Sequence, residues 1–358
     1  MLNRTPFHRL ARAISLFGLL LFSASTYAQS VSILLYHHVS ETTPRVTSVS
    51  PDELRSHLGY LRDNNFAVID LHHALAGMRG EKELPEKSVV ITFDDAYQNI
   101  FNAARPILKE FNMPWALFVS TDFIGDTPGH YMSWTQLQTL HQEGVVIANH
   151  SSDHAHLPMR KANESNDAWR TRVVENIENA QALLEQHVGI QHKLFAYPYG
   201  EYDNALKAIV KELGYTAFGQ HSGGAGPRSD MQAIPRFAAA GIYSNINTLD
   251  TKMAALNFPV TNLKYEDTLL AYHETKPYVE VEMDTADIHT HQVQCFISGE
   301  IYKPEWLSET RFRVQTNKDL PVGRSRYNCT APSKSLRGRY YWFSMQWIRQ
   351  DQQGQWPD

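Results

Sequence analysis

The segment Ser88-Val89-Val90-Ile91-Thr92-Phe93-Asp94-Asp95 decides how the chain is read. Its first six residues are rich in branched and aromatic side chains, carry no charge and are too few for a buried helix. That is the pattern of a strand covered on both faces in a parallel sheet. Two adjacent carboxylates close the run. Neighbours in an extended chain point in different directions, so one can bind a metal while the other faces a substrate. Capping of a helix expected around Gln98 accounts for one of the two Asp residues and poorly for the second.

Outward from this strand, short apolar runs alternate with amphipathic segments from Ser30 to about Phe258, the pattern of successive βα units. The other strand candidates are Val31 to Tyr36, Phe66 to Leu71, Trp115 to Val119, Val145 to Asn149, Lys193 to Tyr197, Tyr215 to Phe218 and Ala233 to Phe237. Ser50-Pro51-Asp52-Glu53 combines a capping Ser, a Pro at the first helical position and a Glu that completes a capping box, and Leu54, Leu58 and Leu61 follow as a buried stripe. The longest helix is predicted over 167–187, where Trp169, Val173, Ile177, Ala180 and Leu184 recur at helical spacing. Seven or eight such units fit a closed barrel or an open doubly wound sheet equally well. No Gly-x-Gly-x-x-Gly follows an early strand, which argues against dinucleotide binding. After Pro259 the texture turns to alternation, with strands expected over Tyr278 to Met283, Gln292 to Ile297 and Tyr340 to Ile348. The chain therefore reads as an α/β unit over 29–258 and a β-rich, sandwich-like unit over 264–358.

At 358 residues and 42% hydrophobic, the chain is neither disordered nor a disulfide-stapled mini-protein. Residues 1–28 hold Arg4, Arg9 and Arg12, an apolar run from Ile14 to Leu21, and Thr26-Tyr27-Ala28, the three parts of a secretory signal cleaved after Ala28. The run is shorter than a bilayer requires, so the expected product is exported, periplasmic or secreted, with no membrane span. Those three Arg and no acid fall before the cut, which takes the net charge from −5 to −8 for the remainder and leaves no basic patch for nucleic acid. Cys295 and Cys329, the two cysteines, are expected to pair as a disulfide in that compartment.

Polar residues gather where predicted strands end: His37, Asp94, Asp95, His150, Arg236, and Pro198-Tyr199-Gly200. In βα architectures those ends build the active face. His150-Ser151-Ser152-Asp153-His154 sets two imidazoles four apart, and a single helical turn would bring both rings to one face. Two His and one carboxylate leave a metal with open positions, as catalytic zinc requires. His156 is off that face and reads as packing or support. Tyr97, Tyr131 and Trp134 are candidates for stacking sugar rings or for core.

Thr92-Phe93-Asp94-Asp95, His150-Ser151-x-x-His154 and Tyr197-Pro198-Tyr199-Gly200 resemble, in order, the leading motifs of the polysaccharide deacetylases, the NodB-type domain of carbohydrate esterase family 4, over roughly residues 30 to 245. The resemblance implies a distorted (β/α) barrel and a divalent metal, zinc with cobalt or nickel as alternatives, held by Asp95, His150 and His154. Asp94 matches the family's catalytic base. The family's Arg before Pro-Tyr-Gly is missing from Phe195-Ala196-Tyr197, and Arg236 is the candidate to hold Asp94 instead. Ala96 stands where the family has Gly. The closing Leu-x-Leu-His motif has no clear match after Arg236, but Ile33-Leu34-Leu35-Tyr36-His37 looks like it, an order similar to that of the poly-N-acetylglucosamine deacetylases of biofilm export.

The resemblance further implies removal of N-acetyl groups from an N-acetylglucosamine-containing glycan, with acetate released. Asp94 would take a proton from water, the Tyr199 backbone N–H would face the oxyanion, and His37 would protonate the leaving amine, with His38 and His273 as substitutes. Two alternatives stand beside it. One is an acetyl-ester-cleaving esterase; the other is a glycan-binding protein acting through Trp306, Trp342 or Trp347, of which Trp342 and Trp347 read better as sandwich core and Trp306 as surface. The sequence names no protein partner.

Overall fold

The computed structural model describes residues 29–357 apart from residue 128, so the expected signal segment and its cleavage point lie outside the described residues. Eight strands, β1 (Val31–Tyr36), β2 (Ala67–Val68), β3 (Ser88–Phe93), β4 (Ala116–Val119), β5 (Val146–Asn149), β6 (Leu194–Ala196), β7 (Thr216–Phe218) and β8 (Phe237–Ala238), form one all-parallel sheet. Its order is β8-β1-β3-β4-β5-β6-β7, with β2 also pairing β3. The edges meet through one segment: Ile234 bridges in parallel to Phe218 of β7, and Phe237 pairs with Leu34 of β1. The sheet thereby curls into a distorted barrel, which resolves the choice that periodicity left open.

Strand alternation sends side chains to opposite sides of the sheet. Val31, Ile33, Val90, Ala116, Phe118, Val146, Ala148 and Ile234 share one cluster inside the curl. Leu34, Tyr36, Ile91, Phe93, Leu117 and Ile147 face the other way, against helices. The α-helices are α1 (Pro51–Asp63), α2 (Leu71–Met78), α3 (Arg105–Glu110), α4 (Trp134–Gln142), α5 (Asn166–Val188), α6 (Asn204–Glu212) and α7 (Ile246–Met253); α1, α3, α4 and α7 pack on that outer face, α2 joins the first cluster, and α6 with the start of α5 packs on Phe195 and Ala217. The α1 start has both halves of its capping box, Ser50 and Glu53, and α5 buries Trp169, Val173, Ile177, Ala180 and Leu184 as its spacing predicts. The strand expected over 66–71 is cut short because Asp70 caps α2 and turns Leu71 into its first residue.

The C-terminal region adds two more sheets. In one, β9 (Leu256–Asn257) and β11 (Leu269–Leu270) pair with β18 (Tyr340–Arg349), which continues through β17 (Gly323–Pro332) and β13 (Gln294–Ile297) to β14 (Glu300–Tyr302). The other has the order β10-β12-β16-β15, from β10 (Val260–Lys264), β12 (Tyr278–Met283), β15 (Glu305–Trp306) and β16 (Arg311–Gln315). Val279, Val281, Phe312 and Val314 of the second share one apolar cluster with Cys295, Tyr327, Phe343 and Trp347 of the first, which makes the pair a sandwich. Cys295 and Cys329 are cross-strand neighbours joined by a disulfide. Trp347 is core, whereas Trp342 turns the other way and packs its edge on Phe237 of the barrel, at 5.2 Å. Trp306 keeps 37% of its surface exposed.

Candidate metal centre and active site

The inward rows of the barrel do not stop at the strand ends. Val90 and Thr92 lead to Asp94, Val146 and Ala148 to His150, Ile33 and Leu35 to His37, and Ile234 to Arg236, each in steps of two. Period-two geometry thus drives four polar residues into one place at the mouth. Asp94, His150 and Arg236 have no solvent exposure.

Arg236 binds Asp94 through two parallel bonds, Nη1 to Oδ1 and Nη2 to Oδ2, each 2.8 Å. It also donates to Thr92 Oγ1 and the Gly219 carbonyl and lies 5.1 Å over the Phe118 ring. Burial alone would raise the Asp94 pKa, but the guanidinium, with His150 and His37, outweighs it and holds the carboxyl below its usual range. Each oxygen of a carboxylate has two acceptor sites, so the fork leaves one on each free.

Asp95 points elsewhere because its backbone is left-handed, φ +73, as is that of Ala96, φ +59. Asp95 Oδ1 lies 3.3 Å from His150 Nε2 and 3.2 Å from His154 Nε2. The two His residues do not sit on a helical turn, as their spacing suggested. Residues 150–154 form an irregular loop in which Asn149 Oδ1 accepts from the Ser151 N–H, Ser151 Oγ accepts from the His154 N–H, and Ser120 Oγ donates to the His150 carbonyl. Ser151 and His154 have φ of +72 and +54. Most of the left-handed non-glycine positions among the described residues belong to this site, and strain of that kind persists only where surrounding structure enforces it.

The donor set fits a metal. The Ala196 carbonyl, 2.8 Å from His150 Nδ1, fixes that nitrogen as the donor and turns the Nε2 lone pair toward Asp95. Two acceptors then face each other, buried, and neither Nε2 nor Asp95 Oδ1 has a hydrogen-bond partner. A cation between them removes the repulsion, and ligands about 2.0–2.1 Å from a tetrahedral zinc lie about 3.3 Å apart. Asp95, His150 and His154 offer their atoms within 4.8 Å of one another. Without a cation a proton does that work: burial would lower the His150 pKa, but Asp94 and Asp95 raise it, and burial would raise the Asp95 pKa, but the nearby His150 and His154 rings take it well below its usual range.

His37 lies near enough for Asp95, Asp94, Arg236 and His150 all to bear on it, and burial, the largest influence, lowers its pKa. His38 is committed elsewhere, 2.9 Å from Asn99 Nδ2 and stacked on Tyr97 at 3.7 Å. His273 is exposed in the sandwich and is not among the residues brought together. Tyr199 adopts φ +57 inside the 198–200 turn; its ring meets His154 edge-on at 4.5 Å and stacks on His156 at 4.1 Å.

The sugar-stacking candidates divide. Trp134 is buried and stacked on His187. Tyr97 and Tyr131 stack on each other, with His38 beyond Tyr97 and Phe123 beyond Tyr131, so both faces of each are occupied. Phe123, 40% exposed at the end of that stack, was not singled out by its sequence context. Also missed was Glu201, a buried carboxylate bonded to His156 with nothing in its neighbourhood of sequence to mark it.

Residues 81–218 match the family described as polysaccharide deacetylase. The matched segment holds Asp94, Asp95, His150 and His154. Among similar proteins, the poly-beta-1,6-N-acetyl-D-glucosamine N-deacetylase of Escherichia coli K12 is 25% identical over 241 residues, 57% of this chain and 36% of that one. The enzyme of the same name from Staphylococcus epidermidis is 28% identical over 197 residues, 53% of this chain and 67% of that one. The chain thus spans about a third of the length of the first. Two solved structures share the deacetylase fold: IcaB from Ammonifex degensii, with TM-score 0.56, 23% identity and coverage of 63% of this chain and 97% of that one, and a de-N-acetylase from Aggregatibacter actinomycetemcomitans, with TM-score 0.56, 22% identity and coverage of 62% and 99%.

Proposed function

We propose that this protein is a metal-dependent hydrolase that removes N-acetyl groups from an N-acetylglucosamine-containing polysaccharide or oligosaccharide and releases acetate. The observation that carries the reading is the juxtaposition of an Asp-His-His donor set with a buried carboxylate, Asp94, clamped by Arg236. A purely glycan-binding surface has no use for that arrangement. The activity for which the Escherichia coli and Staphylococcus relatives are named supports the choice of glycan.

Asp95, His150 and His154 would hold the cation. A divalent metal there supplies Lewis acidity, lowering the pKa of water and polarising a carbonyl oxygen. Asp94, kept ionised by Arg236, accepts the proton of the attacking water at the acceptor site its fork leaves free on each oxygen. The Tyr199 backbone N–H, presented by its left-handed turn, faces the developing oxyanion. His37 delivers a proton to the departing nitrogen. Its lowered pKa makes the resting ring neutral near pH 7, so it becomes an acid only after gaining a proton during turnover. The Tyr97 hydroxyl, held protonated by burial and by the Asp95 charge, stays a donor beside the site.

The Cys295–Cys329 bridge supports an oxidising compartment outside the cytoplasm. The test is acetate release from β-1,6 and β-1,4 oligomers of N-acetylglucosamine and from an acetyl ester, before and after chelation and with zinc restored. Chelator-sensitive release from the amide is the expected result. Release from the ester alone would replace the reading by that of an esterase.

A further inference from the structure

The sandwich meets the barrel through a polar face. Along β17, Tyr327 and Cys329 point into the sandwich core, so the alternate residues Arg324 and Arg326 point to the barrel. Arg324 Nη1 donates to Glu201 Oε1 at 2.9 Å, and Trp356 Nε1 donates to the same oxygen at 2.9 Å. The other oxygen, Oε2, lies 2.7 Å from His156 Nδ1. Glu201 is 1% exposed and Trp356 5%. His156 lies face to face on Tyr199, 6° from parallel, and Tyr199 in turn lies against His154, one of the three metal-competent residues. The Arg324 guanidinium also stands 5.4 Å from the Tyr199 ring.

A buried carboxylate is tolerated only with its partners in place, and losing one leaves an uncompensated charge. A left-handed Tyr likewise persists only where its surroundings over-determine it. The first demand is met here by Arg324 and Trp356, more than a hundred positions away, and the second by His156, which Glu201 holds, with the Arg324 guanidinium near the same ring.

We propose that the C-terminal sandwich is a working part of the active site: Arg324 and Trp356 fix Glu201, Glu201 fixes His156, and His156 holds the Tyr199 turn against His154. Arg324, Trp356 and Glu201 are positioning residues. Their effect on catalysis rests on the deacetylase reading above; their effect on the order of the turn does not.

The experiment measures amide hydrogen exchange over 197–203 and acetate-release kinetics in the full chain, for wild type, Arg324→Ala, Arg324→Lys, Glu201→Gln and Trp356→Phe. Arg313→Ala, which breaks the Arg313–Glu280 pair on the other sheet, is the control. Arg324→Ala and Glu201→Gln are expected to exchange about tenfold faster over that segment, with 88–93 unchanged. Their kcat should fall about 10–100-fold with KM within about threefold, the usual scale for groups that orient a site from behind. Arg324→Lys should recover most of the loss, and Arg313→Ala should match wild type. Should Arg324→Ala not fold, Trp356→Phe, which keeps a ring and loses the N–H, decides by the same two readouts. Wild-type exchange or wild-type kcat in folded Arg324→Ala and Glu201→Gln overturns the proposal. If wild type itself releases no acetate, the deacetylase reading fails and exchange alone decides this one.

Discussion

Arg236 and Asp94, 142 residues apart and both without solvent exposure, are joined by two parallel 2.8 Å bonds. The pair links the segment that closes the barrel to the strand end that opens the site. Because the guanidinium is the main influence holding the Asp94 carboxyl ionised against burial, Arg236→Met should raise the Asp94 pKa. Activity that needs the carboxylate is lost as pH falls through that pKa, so the acid limb of the pH–kcat/KM profile should move to higher pH. Stability should drop by about 3–5 kcal/mol, measured by denaturant unfolding, because one member of a buried pair is left alone.

Metal uptake should displace protons. The raised His150 pKa means that a proton competes with the cation at and above pH 6.5, the ring's ordinary value. Zinc affinity should therefore fall steadily as pH is lowered from about 8 to 5.5, and titration calorimetry in buffers of different ionisation enthalpy should report proton release. A pH-independent affinity would mean that His150 is not a ligand.

His221 offers a stability test at a residue outside the Asp-His-His donor set. Burial, assisted by Arg326, Lys207 and Arg236 against the opposing pull of Asp230, lowers its pKa to about 3. The unfolded chain takes up a proton near 6.5 that the folded ring refuses, so this contribution to stability is complete above pH 6.5 and is lost as pH falls toward 3. Wild type should lose stability faster than His221→Gln over that interval, with the difference changing by up to about 1.4 kcal/mol per pH unit.

Phe123 closes a row of stacked rings at the mouth and presents the exposed end of it. Phe123→Ala should raise KM for glycan oligomers about fivefold, the equivalent of about 1 kcal/mol of ring stacking, with kcat unchanged. A fall in kcat at constant KM would instead place Phe123 in the chemistry.

The sequence was most legible where one local rule dominates. The runs over 31–36 and 88–93 are strands with those bounds, and α1 begins at its capping box. Strand ends carrying His37, Asp94, His150 and Arg236 converge because period two keeps each in an inward row. The His pair misled: spacing of four suggests a helix, yet side-chain bonds from Asn149, Ser120 and Ser151 stabilise a left-handed loop that periodicity does not encode. Glu201 was invisible for another reason. Its partners Arg324 and Trp356 lie in a different unit of the fold, and only the packing of sandwich on barrel shows that this carboxylate is buried and answered.

The mechanism rests on a division of labour between adjacent carboxylates, Asp95 with the cation and Asp94 with the proton. The most direct test measures zinc per chain and acetate release together in Asp94→Asn and His150→Ala. Full zinc with activity down about 10²–10⁴-fold is expected in the first, and loss of both zinc and activity in the second. Equal loss of zinc in the two variants, or full activity in Asp94→Asn, would contradict that division.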